Sequence, residues 1–97
     1  MEEKKTVTLD LTGCQSLGEI HQRIKKTFDF PDFYGQNWDA FWDLLRTECD
    51  ANEIIVVGMG TLPKEFQWHC DKLVEILQRF KEHCARYNDW VEIEIQS

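Results

Sequence analysis

The five residues "EIIVV", Glu53–Val57, decide how the rest of the chain is read. Four consecutive β-branched side chains after one glutamate are too short for a globular helix and of ordinary strand length. Their apolar run is continuous rather than alternating, which predicts a strand buried on both faces, as in a parallel sheet. The same run is far short of the roughly 20 apolar residues that cross a bilayer.

Working outward, helical patterns flank this strand on both sides. Upstream, "SLGEIHQRIKKTF" opens with a capping box, Ser16 with Glu19, and places Leu17, Ile20, Ile24 and Phe28 at helical spacing. Pro31 is expected to end that helix, because the residue before a proline is pushed out of the helical region. Asn37 then predicts the N-cap of a second helix running to about Cys49. Downstream, "GMGT" turns the chain, and from Pro63 onward Leu73, Ile76, Leu77, Phe80 and Cys84 form one stripe. A break into two helices near His69–Asp71 remains open at this stage. The outermost segments, "KTVTLDL" (Lys5–Leu11) and "WVEIEIQ" (Trp90–Gln96), alternate apolar and polar residues and predict strands.

The order is therefore strand, two helices, strand, helix or helices, strand. Helical crossovers between strands call for a parallel sheet. The expected fold is α/β, a three-stranded parallel sheet with three to four helices packed mainly on one face. The expected organisation is a single domain over residues 1–97, a length that supports one modest core.

Composition narrows function. Hydrophobic residues make up 42% and charged residues 30% of the chain, the balance of a globular protein. A formal net charge of −7 argues against nucleic acid or an anionic membrane as the main partner, since either needs a basic patch. It suits a merely soluble protein or one steered toward a basic partner. The start, "MEEKKTVTLD", has no apolar stretch of signal-peptide type, so a cytoplasmic location is expected.

Cys14, Cys49, Cys70 and Cys84 are scattered without a C-x-x-C pair, and reduced, mostly buried thiols are expected. The repeated His-Cys at His69–Cys70 and His83–Cys84 resembles a metal signal, but on one helix the two pairs would lie roughly 21 Å apart. No metal and no cofactor is expected: the chain carries no glycine-rich phosphate loop, no H-E-x-x-H and no nucleophile motif.

The second helix divides its residues between two stripes. Trp38, Phe41 and Leu45 recur at i, i+3, i+7 and form the natural core face. Asp39, Trp42, Asp43 and Arg46 recur at i, i+3, i+4, i+7 and project elsewhere. A plain solvated face accounts for part of this, with Asp39 favoured by the helix dipole and Asp43 within reach of Arg46. An acid–base pair, with Glu82 as a possible third carboxyl, would need a desolvated cleft that nothing in the sequence suggests. His21 lies beside the first helix's apolar stripe and reads as a boundary or core residue. A recognition surface explains more: two carboxylates one turn apart accept arginine forks or imitate neighbouring phosphates, and Trp42 between them excludes water. The natural target is a protein with a basic, phosphate-binding cleft.

At this point the residues resemble a known family. Ile20–Leu45, "IHQRIKKTFDFPDFYGQNWDAFWDLL", carries H-Q, K-K, P-[DE]-[FY]-Y-G-[EQ]-N and D-A-[FL]-W-D-x-L in the order and spacing of the barstar family. Members are intracellular inhibitors of secreted bacterial ribonucleases of the barnase type. The close match covers about a quarter of the chain, with a weaker echo in "LQRFKE", Leu77–Glu82. The resemblance implies a compact, non-enzymatic, monomeric protein that blocks a ribonuclease active site with a helix and the loop before it. It implies partner-binding roles for Phe33, Asn37, Asp39, Trp42, Asp43, Arg46, Thr47 and Glu82. An aspartate of barstar is itself a type example of an interface hot spot, so the weight given to Asp43 is inherited from the resemblance.

The chain also departs from the family. Phe33 stands in place of a tyrosine, Arg46 in place of a small polar residue and Glu48 in place of an aromatic one. A cation on this surface should repel a basic cleft unless Arg46 folds back onto Asp43 or Asp39. An acidic adaptor of the same fold, binding a different basic protein without inhibiting a ribonuclease, is the alternative that Arg46 favours.

Overall fold

In the computed structural model, which describes residues 5–96, the stretch Glu53–Val57 is the central strand of a three-stranded sheet. The elements follow as β1 (Thr6–Asp10), α1 (Leu17–Phe28), α2 (Trp38–Glu48), β2 (Glu53–Val57), α3 (Gln67–Arg86) and β3 (Glu92–Gln96). Short 3-10 turns at Met59–Thr61 and Lys64–Phe66 lead into α3. The first four residues of the charged start lie outside the described residues. No helix among the described residues is long and apolar enough to cross a membrane.

Both strand pairings are parallel, in the order β1-β2-β3. The register aligns Val7 with Ile54 and Ile93, and Leu9 with Val56 and Ile95. These residues share the face that the helices cover. Leu9, Ile54 and Val56 join Ile20 and Ile24 of α1, Phe41 and Leu45 of α2, and Leu73, Ile76 and Leu77 of α3 in one core.

The opposite face differs from the expectation for β2. Ile55 and Val57 are only half-buried, and their neighbours Thr6, Thr8, Asp10, Glu92, Glu94 and Gln96 are exposed. The continuous apolar run is explained by position instead. A central strand is shielded laterally by both neighbours, so its outer aliphatic side chains lose part of their water without a helix above them.

Local signals fix the helix ends. Ser16 Oγ accepts the Glu19 N–H at 3.1 Å and starts α1. The helix stops at Phe28, before the proline acts. Asp29 takes a left-handed conformation at φ 55°, and the N–H groups of Asp29 and Phe30 both donate to the Lys25 carbonyl. Pro31 then only prevents resumption. α3 runs unbroken through His69–Asp71, where Gln67 Nε2 donates to Asp71 Oδ1 at 2.8 Å across one turn. Both His-Cys pairs therefore lie on one helix. Cys14 is buried, whereas Cys49, Cys70 and Cys84 are half-buried, a more open setting than expected for three of the four thiols.

Two details of the scaffold have measurable consequences. Gly58 follows β2 at φ 82°, and a Cβ there would collide with the backbone of Thr12, coming within 2.8 Å of its Cα. Gly58→Ala should therefore cost at least about 2 kcal/mol, combining left-handed strain with displacement of the β1–α1 loop. Chemical denaturation checks it.

His21 is buried, with Nδ1 2.6 Å from the Tyr34 hydroxyl and its ring 4.7 Å from that of Trp38. Burial, reinforced by the nearby His69, holds the imidazole below its ordinary 6.5. Burial likewise pushes the Tyr34 phenol upward. The unfolded chain thus binds a proton that the folded one refuses, so stability falls as pH drops below about 6.5 and levels off beneath the folded value. Asp10 and Asp50, held below their ordinary 3.8 by hydrogen bonds from Thr12 and Lys5, act only at lower pH. The melting temperature should be lower at pH 5.5 than at pH 7.5, and His21→Gln should flatten that slope.

Candidate partner-binding site

α2 begins where the sequence places its cap. Asn37 Oδ1 accepts the Ala40 N–H at 2.8 Å, and the Asn37 carbonyl accepts that of Phe41 at 3.0 Å. Trp38, Phe41, Leu44 and Leu45 are buried, so the core face is wider than the three-residue stripe by Leu44. Asp39 and Asp43 then project outward, both exposed. Asp39 lies in the first turn, where the helix dipole favours a negative charge. It has no ion-pair partner among the described residues.

The loop ahead of α2 is anchored by aromatic burial. Phe30 stacks on Phe28 with centroids 5.4 Å apart, and Tyr34 is held by His21. Between these anchors, Phe33 is 76% exposed. The backbone N–H of Tyr34 donates to the Pro31 carbonyl at 3.0 Å, a tight turn that lifts Phe33 out of the core.

At the other end of α2, Arg46 folds back onto Asp43. Its Nη2 donates to Asp43 Oδ1 at 2.6 Å, while the Asp43 carbonyl accepts the Thr47 hydroxyl at 3.0 Å. The Asp43 side chain nevertheless stays 68% exposed. A carboxylate offers about four lone-pair sites, and one donor leaves most of them open. The arginine therefore tempers the acid without sealing it.

Trp42 sits half-buried between α2 and α3. The Arg46 guanidinium carbon lies 5.0 Å from its ring centroid and that of Arg79 4.5 Å, with His83 edge-on at 6.0 Å. Glu82 shares an open hollow with Trp42, Arg79, His83 and Arg86. Of the sequence-predicted residues, Trp42, Asp43, Arg46 and Thr47 are directly linked and Glu82 is brought beside Trp42. Asp39 and Asn37 lie on the same helix start, and Phe33 on the preceding loop. Arg79 and Arg86 are not among the sequence-predicted residues, and His83 enters there only beside Cys84 as an apparent metal signal. Arg79 and Arg86, at i and i+7 with His83 at i+4 between them, set two cations on one face of α3, a legible signal in an acidic chain.

The architecture defines a class: an α/β protein in two layers, with a three-stranded parallel sheet covered by helices on one face and an acidic helix on the surface. A family model for Barstar (barnase inhibitor) matches residues 4–96, and the chain belongs to that family. The chain is also similar to a Bacillus subtilis (strain 168) protein named "Putative ribonuclease inhibitor YrdF". The two are 28% identical over 79 residues, covering 80% of this chain and 87% of that protein.

The Arg46 contacts are surface interactions, so their contribution to folding is bounded. An exposed ion pair contributes about 0.2–1 kcal/mol and an exposed cation–π contact about 0.5–1 kcal/mol. Arg46→Ala should lower stability by less than about 2 kcal/mol, as read from a urea transition of the free protein.

Proposed function

We propose that this protein is a cytoplasmic, monomeric, single-domain inhibitor of a secreted basic ribonuclease of the barnase type. It carries out no catalysis itself. α2 and the loop before it enter the enzyme's cationic active site, where Asp39 and Asp43 take arginine or histidine donors in place of substrate phosphates. Phe33 and Trp42 pack on the rim of that cleft, Asn37 and Thr47 bracket the helix, and Glu82 adds an acidic contact from α3. An interface of roughly 800 Å² per partner is the expected scale.

The observation that carries this reading is the outward carboxylate pair of Asp39 and Asp43 on a helix whose other face is locked in the core. Membership of the Barstar (barnase inhibitor) family supports the class of partner. The fold-back of Arg46 onto Asp43 weakens the case for an adaptor, since the cation that favoured it is spent within the chain.

The test is an RNA-cleavage assay with barnase-type ribonucleases, in which the purified protein should abolish cleavage at stoichiometric amounts. Asp43→Ala should weaken the complex by at least about 2 kcal/mol, because the partner's buried cations lose their counter-charge. Association should slow as salt rises. Undiminished cleavage across such enzymes, together with retention on an unrelated basic protein, would transfer the site to the adaptor reading.

A further inference from the structure

The charge of the surface changes sign across Trp42. On the α2 side are Asp39 and Asp43; on the α3 side are Arg79, His83 and Arg86, which line a hollow of about 250 Å³ with Trp42 and Glu82. Arg79 and Arg86 are exposed and have no ion-pair partner among the described residues. Glu82 lies within helical reach of both, at i+3 and i−4, yet neither pairs with it. Two uncompensated arginines beside the acidic pair would oppose entry into a uniformly cationic cleft, since like charges brought together are what an interface uses to reject a partner.

Resting on the inhibitor reading above, we propose that the hollow between α2 and α3 is a carboxylate-docking site. The cognate enzyme then carries an aspartate or glutamate on the rim of its basic cleft, set against Arg79 and Arg86, while one of its cations meets Glu82 at the same hollow. The geometry suits that occupant. Arg79 lies over the Trp42 ring, and the ring is held on its own helix by Arg46. A guanidinium stacked on an indole keeps its N–H edge free, and that edge matches a planar carboxylate in a bidentate pair. Trp42 belongs to both patches, so a partner seated on Asp39 and Asp43 meets the arginines as well. Opposite charges at fixed positions on both surfaces set the register of docking and discriminate among basic ribonucleases, which share a cationic cleft but need not share its rim.

The experiment is a set of double-mutant cycles with the full chain. The probe is the tightest-binding member of a panel of secreted barnase-type ribonucleases, catalytically inactivated. Arg79→Ala and Arg86→Ala are each crossed with alanine substitutions of the enzyme's acidic residues around its cleft. At least one rim carboxylate should couple to Arg79 or Arg86 by about tenfold in Kd, and Arg79→Glu/Arg86→Glu should weaken the complex further than the alanine pair. Absence of any coupling, or tighter binding by the charge-reversed protein, overturns the docking site. If Asp43→Ala still weakens binding in that case, the inhibitor reading survives alone. If no ribonuclease in the panel binds the unaltered protein, both readings fall together. Saturable binding of a short single-stranded RNA by the free protein, lost in Arg79→Ala/Arg86→Ala, would assign the hollow to phosphate and likewise overturn the proposal.

Discussion

The complete burial of Phe41 and Leu45 fixes the rotation of α2 about its own axis, and the whole candidate site follows from that rotation. Each such side chain contributes about 1.5–3 kcal/mol when taken from water. The repulsion between carboxylates one turn apart costs only about 0.2–0.5 kcal/mol, and the helix dipole at Asp39 offsets it. The core therefore wins by a wide margin, and the helix cannot turn to separate or hide its acids. Asp39 and Asp43 are held outward by residues on the far side of the same helix. A surface that would be marginal in an isolated peptide is imposed by packing.

Arg46 modifies that surface without abolishing it. With Asp39 and Asp43 it leaves one net negative charge on α2's outer stripe, so the local field of the free protein is weaker than two bare acids would give. In the proposed complex, long-range attraction of a basic partner would then fall mainly to the total charge of −7, with the helix supplying geometry at contact. The pair's exposure keeps its energy small and its dissociation cheap. The indole of Trp42 performs a second task here, since it gives Arg46 a resting place that does not depend on Asp43.

What was readable in the sequence was local. Ser16 and Asn37 cap their helices through side-chain bonds spanning three residues, and "EIIVV" forms the central strand over its full length. The motif from Ile20 to Leu45 identified the family that the whole-chain match bears out. What was not readable depended on neighbours distant in the chain. The half-exposure of Ile55 and Val57 follows from the number of layers, which a single strand cannot reveal. The continuity of α3 past His69 draws on the Trp38 indole, which donates to His69 Nδ1 at 3.1 Å across 31 residues. The arginines around Trp42 gather only because α2 and α3 lie side by side, with Trp38 near His69 at one end and Trp42 near His83 at the other.

That side-by-side arrangement also separates two uses of acidic residues that composition alone merges. On the open face of the sheet, Asp10, Glu92 and Glu94 surround the half-buried Ile55 and Val57 and sit on the outer strands. Exposed sheet edges are templates for unwanted pairing, and charges placed there suppress it. These acids stand on short strands, spread across a flat surface. Asp39 and Asp43 instead share one convex helix with Trp42 beside them and Phe33 on the adjoining loop. Net charge cannot distinguish the two groups. The difference lies in what each is mounted on: a sheet face where charge keeps strands apart, and a helix whose buried side holds the same charge outward along one line.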